Sequence, residues 1–458
     1  MQKNLNLRAV FLSVLLTAAV LCLAPVSADA LTSGDYEYTL ANSEVTITKY
    51  TGSDANVVIP STISGCRVVA IYNNAFSTNT TKQQLTSVVI PDTVKTIGNS
   101  AFINCGNLTS VVIPDSVTSI GSKAFMSTGL TSLKIPASAA NGLGEGCFCY
   151  CRSLETISLP EGMTSIPDDG FSSCSALERI TLPSTVTAIK PLAFVYCNAL
   201  TSITIPASVT DIGDSAFRSC EKLASVTFEE GSKLASIGER AFVGCAFRDI
   251  YLPNTVTRLA ADCFENCKNL RGFIVPPNVK SFSFCLGGCT GLQYCVVPST
   301  VTSAGIDALS NCIYYVTTGS AAEKACIRVS ANYINDTSAD APIQVIYNGD
   351  RISFGAYGQD PTIINNRTMV PLRSIFESMG ATVDWNDATR TVTAVRGKTT
   401  ISITVGSNTV YVNGRAVSVD SPATIRNNRT LVPVRVIAES FGADVGWVGN
   451  SKLVLISE

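Results

Sequence analysis

The 458-residue sequence contains no histidine. This absence excludes Ser-His-Asp and Cys-His catalysis and removes the usual zinc and copper ligand. It also lacks basic clusters, because its 33 Lys and Arg are scattered and nearly balance 35 Asp and Glu. A nucleic-acid partner would require a basic surface, and no Walker or Rossmann glycine pattern indicates a nucleotide site. We therefore predict that the protein is not an enzyme, with no catalytic residues, cofactor, metal ion or nucleic-acid partner.

The N-terminus has the pattern of a secretory signal peptide. Lys3 and Arg8 precede the apolar run "AVFLSVLLTAAVLCLA", and "PVSADA" then offers small residues for cleavage after Ala28 or Ala30. We assign residues 1–28 to this peptide. No later stretch supplies about twenty uninterrupted apolar residues, so no membrane-spanning helix is predicted. The mature chain is expected to be secreted, extracellular or associated with the cell surface.

The central part of the chain repeats every 22 to 24 residues in most steps. The repeating prolines are Pro60, Pro91, Pro114, Pro136, Pro160, Pro183, Pro206, Pro253, Pro276 and Pro298. In the unit 200–222, "LTSITIPASVTDIGDSAFRSCEK", Ile203 and Ile205 alternate as in a short strand that Pro206 ends. A second extended piece around Ile212 follows. Because one such unit cannot bury its apolar side alone, the repeat predicts a stack of turns around a continuous core.

The repeat pattern Leu-x-x-Ile-x-Ile-Pro-x-x-Val-x-x-Ile-Gly-x-x-Ala-Phe-x-x-Cys resembles the leucine-rich repeat of the BspA-like bacterial surface proteins. The resemblance covers about residues 33–333 in about eleven turns. It implies a mainly β solenoid with parallel sheets and a role in binding or adhesion. Departures occur where Leu286 and Leu309 replace the phenylalanine, and where residues 127–129 lack the cysteine.

Both ends of the repeat region resemble the caps of that family. The opening "GDYEYTLANSEVTITKYTGSDANVVIPSTISGCRVVAI" is similar to its N-terminal cap, and "YYVTTGSAAEKACIRVSANYIND" is similar to its closing turn with a short helix. We therefore assign residues 29–334 to the solenoid with its caps. A polar linker, residues 335–342, separates it from the C-terminal segment.

Nine cysteines recur at one place in the turn, three residues after the phenylalanine position. They are Cys105, Cys151, Cys174, Cys197, Cys220, Cys245, Cys267, Cys289 and Cys312. We call these residues the cysteine ladder and favour buried thiols, because free cysteine packs as a small apolar group. Neighbouring turns lie ~4.8 Å apart, a separation that a disulfide can bridge, so a few disulfides remain an alternative. A metal site in "CFCYC", "CFENC" or "CLGGC" is disfavoured, since packing already explains the first and last cysteine of each motif.

One side chain per turn lies between two inward residues of the first strand and is predicted to point outward. This front row comprises Val89, Val112, Lys134, Ser158, Thr181, Thr204, Thr227, Tyr251, Ile274 and Val296. The row is consistent with β propensity on a solvated sheet. The alternative is a ligand face. In that case Tyr251, Ile274 and Val296 form an exposed apolar strip and are the candidate binding residues.

The C-terminal segment, residues 343–458, is built on a tandem repeat. "TIINNRTMVPLRSIFESMGATVDWN" (362–386) is echoed 62 residues later by "TIRNNRTLVPVRVIAESFGADVGWV" (424–448). Proline at a first helical turn and glycine as a stop predict a short helix in each copy, flanked by alternating strands such as "TISITV" and "TVYVNG". The segment is thus expected to be a small α+β module.

The C-terminal segment resembles the copper amine oxidase N-terminal-like domain, also called the stalk domain. The sequence has no histidine for copper, so the resemblance implies a non-catalytic surface module that associates with a cell-wall component. In its two copies, Arg373 with Glu377 and Arg435 with Glu439 are placed for i,i+4 ion pairs that support the helices.

Taken together, these patterns predict a secreted or cell-surface binding or adhesion protein. Its solenoid would bind an extracellular protein or glycan. The alternative is a targeting scaffold for an extracellular carbohydrate-active or cell-wall-remodelling system, and a third is a structural spacer. An aromatic platform beside opposed carboxylates would favour the carbohydrate-active alternative, and the sequence pattern reveals none.

Overall fold

A computed structural model describes residues 30–77, 84–335, 343–348, 350–354, 359–448 and 452–457. The predicted signal peptide, residues 1–28, lies outside the described residues, as does all but the first residue of the predicted linker. The described chain is mainly β and forms a solenoid of about twelve turns followed by a small module of antiparallel sheets. The predicted fold class is confirmed.

Most turns contribute two short strands. In the unit 200–222, Ser202–Ile205 forms the first strand and Asp211–Ile212 the second. Ile203, Ile205 and Ile212 point into the core, while the intervening side chains face outward. The predicted second extended piece is therefore present.

Stacking of the turns produces two rows of strands that are parallel within the repeats. The front strands are Asn56–Val58, Ser87–Val89, Ser110–Val112, Ser132–Lys134, Thr156–Ser158, Ser202–Ile205, Ser225–Phe228, Gly272–Ile274, Tyr294–Val296, Ile313–Val316 and Tyr333–Asn335. The back strands are Cys66–Ile71, Thr96–Ile97, Ser119–Ile120, Ser165–Ile166, Ala188–Ile189, Asp211–Ile212, Ser236–Ile237, Arg258–Leu259, Ser281–Ser283 and Ser303–Gly305. A 3-10 helix, Ala137–Ala139, lies between the rows.

The corners of the turns depend on left-handed backbone positions. Ser215 and Ser219 have φ of 55° and 58°, and Asn104, Ser173 and Gly244 occupy the position of Ser219 in other turns with φ of 60°, 59° and 72°. Glycine and asparagine tolerate this conformation better than most residues. These short residues let the chain reverse direction within a few residues on either side of the buried phenylalanine.

The core of the solenoid is a column of aromatic rings. Consecutive rings have centroids 4.8–5.8 Å apart and interplanar angles of 2–24°. The column comprises Tyr50, Phe76, Phe102, Phe125, Phe148, Phe171, Phe194, Phe217, Phe242 and Phe264. Leu286 replaces the next phenylalanine and is fully buried, and Phe264 instead contacts the ring of Phe273, with centroids 5.2 Å apart.

Caps close both ends of the solenoid core. The N-terminal cap contains the strands Leu31–Ser33, Tyr36–Ala41, Glu44–Tyr50 and Thr62–Ile63. At the other end the helix Ala321–Val329 is present as predicted, and Ser320 caps it by accepting a hydrogen bond of 3.1 Å from the Glu323 backbone N–H.

Among its described residues, the C-terminal module contains two antiparallel sheets, one mixed sheet and two short helices. Its strands are Gln344–Tyr347, Asp350–Arg351, Thr362–Ile364, Arg367–Pro371, Thr382–Asn386, Thr391–Arg396, Thr399–Thr404, Thr409–Val412, Arg415–Ser418, Thr424–Arg426, Arg429–Pro433, Asp444–Val448 and Leu453–Ser457. The predicted helices are Leu372–Ser378 and Val434–Ser440. Gly380, with φ of 76°, follows the first helix at the predicted stop.

The module packs on the front face of the last solenoid turns. In the strand Leu453–Ser457, Val454 and Ile456 pack into the core of the module, whereas Leu453 and Leu455 join an apolar cluster with the solenoid. This alternation follows from the period of two in a strand. One module sheet therefore lies between two apolar layers.

Candidate functional site

The cysteine ladder lies inside the solenoid. All nine side chains are buried, and no disulfide joins cysteines within the described residues. Eight of the nine thiols donate a hydrogen bond to the carbonyl of the ring residue in the preceding turn, at 3.1–3.4 Å. The geometry is that of buried packing thiols.

Burial suppresses the reactivity of these thiols. Loss of solvent raises the pKa of Cys151 to about 11 and that of Cys220 to about 12, from the ordinary value of 9.0. The first and last cysteines of "CFCYC", "CFENC" and "CLGGC" are all buried. In the part of the chain that the structure describes, no group of three or more Cys, Asp or Glu side chains is placed to hold a metal ion.

The turn that lacks a ladder cysteine has a polar substitute that the sequence reasoning missed. Thr128 lies three residues after Phe125, at the ladder position, and is buried. Its hydroxyl donates to the Phe125 carbonyl at 2.9 Å and lies 3.1 Å from Cys151 Sγ. The F-x-x-T spacing was the signal that would have identified it.

The candidate strip at the C-terminal end of the front row is mostly covered. Tyr251 is 46% exposed, but Ile274 is half-buried and Val296 is only 3% exposed. The expectation that Val296 is exposed is therefore wrong. The residues that cluster around it are Tyr294 and Tyr315 of the solenoid with Ile346, Leu453 and Leu455 of the module. The partner of this part of the strip is the chain's own C-terminal module.

Polar contacts reinforce the same boundary. Arg248 forms an ion pair with Asp350, and its Nε donates to the Asn348 carbonyl at 3.1 Å. The Arg351 backbone N–H donates to Gln293 Oε1 at 3.4 Å. These contacts join the module to the last solenoid turns beside the apolar cluster on the front face.

Tyr251 lies at the edge of this boundary. It lines a cleft of about 630 Å³ together with Arg248, Asp249 and Asp350. Burial raises the pKa of the Asp249 carboxyl, and the positive charge of Arg248 acts in the opposite direction. The role of Tyr251 in binding stays a prediction.

An apolar strip at the other end of the front face is open. Val58, Val89 and Val112 are 72%, 39% and 54% exposed. Parallel pairing places Val89 beside both of the others in register. We call these residues the valine strip. Val89 and Val112 belong to the predicted front row. Val58 lies before the step of 31 residues from Pro60 to Pro91, so the regular spacing did not reveal it.

The module helices carry the two predicted ion pairs. Arg373 lies 4.0 Å from Glu377 and Arg435 lies 3.8 Å from Glu439, and all four side chains are exposed. Such exposed pairs contribute little to stability. Among the described residues, no helix combines the length and apolar character needed to cross a bilayer.

Solved structures with similar sequence include several bacterial repeat proteins. One is a leucine rich cell surface protein from Faecalibacterium prausnitzii, with 28% identity, a TM-score of 0.37, and coverage of 64% of this chain and 96% of that one. A second is a leucine rich repeat protein of T. pallidum, with 29% identity, a TM-score of 0.33 and coverage of 47% and 89%. A third is a leucine-rich repeat protein from Bacteroides ovatus, with 23% identity, a TM-score of 0.39 and coverage of 67% and 99%. No curated protein matches the chain significantly.

Family comparisons assign both parts of the chain. Residues 347–456 match the copper amine oxidase N-terminal domain. Residues 69–201 and 188–315 match the BspA type leucine rich repeat region, in six copies. The repeat match spans more than half of the 458 residues. The chain therefore belongs to the BspA-type leucine-rich repeat family.

Proposed function

We propose that the protein is a secreted or cell-surface binding protein whose solenoid binds an extracellular protein or glycan, and that it is not an enzyme. The observation that carries the proposal is the open valine strip, Val58, Val89 and Val112, on the front face. Contiguous apolar surface on a soluble protein is typical of an interaction site. Membership of a repeat family supports the same role, because solenoids present extended binding faces.

The covered end of the same face supports this interpretation. There, Tyr294, Val296 and Tyr315 already pack against the apolar residues of another unit, the C-terminal module. The open valine strip offers a partner a similar kind of surface. Tyr251 is a second candidate anchor, since tyrosine is enriched among residues that dominate binding energy.

The test begins with an array of proteins and glycans probed with the purified mature chain. Once a partner is found, Val89→Ser with Val112→Ser should weaken its affinity at least tenfold, about 1.4 kcal/mol. Tyr251→Ser tests the second anchor separately. The matched control is Thr181→Ser with Thr204→Ser, which changes exposed front-row positions that carry no apolar strip. Unchanged binding in both the valine and the tyrosine variants would contradict the proposed face.

Export is a separate part of the proposal. The mature chain should be recovered from the medium or the cell surface with Asp29 or Leu31 as its first residue, because cleavage is expected after Ala28 or Ala30. N-terminal sequencing of the recovered protein measures this. Recovery of intact protein that still begins at Met1, and only from inside cells, would contradict export.

A further inference from the structure

The two copies in the C-terminal module are related by a local two-fold axis. Strands Arg367–Pro371 and Arg429–Pro433 pair antiparallel, with Val370 opposite Val432. These valines are equivalent residues, because the copies are offset by 62 positions. Equivalent residues that face each other across an antiparallel pair define a two-fold axis between the strands. Any feature that forms between the copies should therefore occur twice.

Two clefts in the module have this relationship. The first, of about 610 Å³, is lined by Asn366 and Arg367 from the first copy and by Arg435 and Trp447 from the second. The second, of about 680 Å³, is lined by the equivalent residues with the copies exchanged, namely Asn428, Arg429, Arg373 and Trp385. Each cleft joins the hairpin of one copy to the helix and tryptophan of the other. We name them the Trp447 cleft and the Trp385 cleft.

Tryptophan is the most distinctive residue of both clefts. The sequence has only two tryptophans, and each lies in one of them. Each pairs with a valine of the neighbouring strand that lines the same cleft, Trp385 with Val392 and Trp447 with Val454. Trp447 is 41% exposed and Trp385 is half-buried. A wide aromatic surface is thus accessible in a concave site.

The surrounding side chains supply polar groups of the kind that recognise sugars. The C–H face of a pyranose ring is apolar and can pack on an indole, while Arg and Asn side chains hydrogen-bond to hydroxyl, amide and carboxylate groups. Such a combination of an apolar wall with a few polar groups is typical of small-molecule sites. It fits a saccharide better than a wholly apolar ligand.

The clefts differ in charge. In the Trp447 cleft, Arg367 is ion-paired with Asp420 and Arg435 with Glu439, so the four charges balance. The Trp385 cleft is lined by three arginines, Arg373, Arg390 and Arg429, and by the carboxylate of Asp387, and Glu377 is ion-paired with Arg373, so that three positive charges face two negative ones. This cleft therefore favours a sugar that carries an acidic substituent.

We propose that the C-terminal module binds an acidic glycan through both clefts, with sugar rings on the indoles and carboxylates at the arginines of the Trp385 cleft. The edge strands that contribute to the clefts, Thr362–Ile364 and Thr424–Arg426, are three strand spacings apart, about 14 Å. A polymer engaging both clefts gains avidity over a short fragment. The inference rests on the proposed extracellular role, because acidic glycans of this kind would be met outside the cell. It does not involve the solenoid face.

The test uses the full mature chain and two defined probes. A hyaluronan hexasaccharide alternates glucuronate with N-acetylglucosamine, and an N-acetylglucosamine hexamer is its neutral counterpart. Because both tryptophans lie in the clefts, their fluorescence reports on cleft occupancy directly. Hyaluronan should change the emission saturably and bind at least fivefold more tightly than the neutral hexamer.

Variants then locate the binding. Trp385→Ala should weaken hyaluronan binding at least tenfold by calorimetry, and Trp447→Ala should weaken it less. Arg373→Gln with Arg429→Gln should remove the preference for hyaluronan while leaving the indoles in place, which tests the proposal even if a tryptophan variant misfolds. Tyr411→Ala is the matched control, because Tyr411 is an exposed aromatic residue of the module that lines neither cleft.

Three outcomes would overturn the inference. They are no change in emission with either probe at millimolar concentration, wild-type hyaluronan binding by the tryptophan and arginine variants, and tighter binding of a glutamate hexapeptide than of hyaluronan. The last result would assign the clefts to a peptide. Substitutions in the valine strip should leave the hyaluronan titration unchanged, so failure of the solenoid proposal is distinguishable from failure of this one.

Discussion

At the ladder position, cysteine combines two properties that neighbouring residue types lack. It packs as a small apolar side chain, and its thiol is a weak donor. In the turn centred on Phe217, Cys220 Sγ donates to the Phe194 carbonyl at 3.1 Å. An alanine at this position would remove that contact. A serine hydroxyl is more polar than a thiol, so its burial in an apolar interior would cost free energy unless a stronger hydrogen bond compensated for it. The recurrence of cysteine therefore reflects packing in a column beside the aromatic rings.

The ladder thiols should resist alkylation in the native protein. Burial raises the pKa of Cys151 and Cys220, so little thiolate forms there, and all nine ladder side chains are buried out of the reach of a reagent. We expect iodoacetamide to modify the ladder only after denaturation, as measured by peptide mass spectrometry. Cys66 is a useful comparison because it is only partly buried. Detection of four or more ladder disulfides in the native protein would contradict the prediction.

The same pKa shifts predict alkaline destabilisation. An unfolded thiol ionises near pH 9.0, whereas Cys151 and Cys220 ionise at about 11 and about 12 in the folded chain. Their contribution is fully present below pH 9 and is lost as pH rises through the folded pKa values. Each thiol should lower the free energy of unfolding by at most about 1.4 kcal/mol per pH unit in this window.

Urea unfolding at pH 7.5 and pH 10 measures this loss. The chain with Cys197→Ala, Cys220→Ala and Cys245→Ala should lose less stability between pH 7.5 and pH 10 than the wild type, because it lacks three of the thiols. Tyrosines and lysines titrate in both proteins, so their contribution cancels in the comparison. An equal loss in the two proteins would show that the thiols do not contribute.

At the scale of elements, the ring column makes each turn depend on its neighbours. Phe217 stacks at 5.2 Å on Phe194 and at 5.2 Å on Phe242. Phe217→Ala should cost ~3–5 kcal/mol, because it removes a fully buried ring and leaves a cavity. Hydrogen exchange should rise mainly between Ala193 and Phe242, since repeats stabilise their nearest neighbours.

Tyr196→Ala is the control for this substitution. Tyr196 is an exposed aromatic residue of an adjacent turn, and its removal should change stability by no more than about 0.5 kcal/mol. A uniform rise in exchange across residues 33–333 in Phe217→Ala would indicate that the solenoid unfolds as one cooperative unit.

At the scale of the whole molecule, the C-terminal module serves as a cover for the last turns. Removing residues 336–458 should leave a folded solenoid, because the aromatic column and both caps lie outside the module. It should also expose Tyr294, Val296 and Tyr315. We expect the truncated chain to retain its circular dichroism spectrum but to self-associate and bind an apolar dye.

Light scattering and dye fluorescence measure these effects. The truncated chain with Val296→Lys is the matched variant and should associate less, because the charge interrupts the exposed strip. A truncated chain that stays monomeric and binds no dye would show that the module does not cover a significant apolar surface.

The sequence alone determined the local architecture, because the information lies in short periods. The 23-residue spacing, the alternation at Ile203 and Ile205, and the fixed place of Phe217 and Cys220 predict the turn, its inward residues and the buried thiols. Proline and glycine likewise predict both module helices. Each of these features depends on residues within one unit or on its copy in the next.

Only the tertiary structure decided which surfaces stay open. Nothing in the alternation distinguishes Val296 from Val112. Val112 is exposed, whereas Val296 is covered by Ile346 and by Leu453 and Leu455 of the module. In the same way, Trp385 was visible in the tandem repeat, but its cleft exists because the hairpin at Arg429 lies across from it. The alternation within a strand specifies which side chains point away from the core. Whether such a side chain is exposed or covered depends on the docking of distant units through apolar burial, and this docking follows no sequence period.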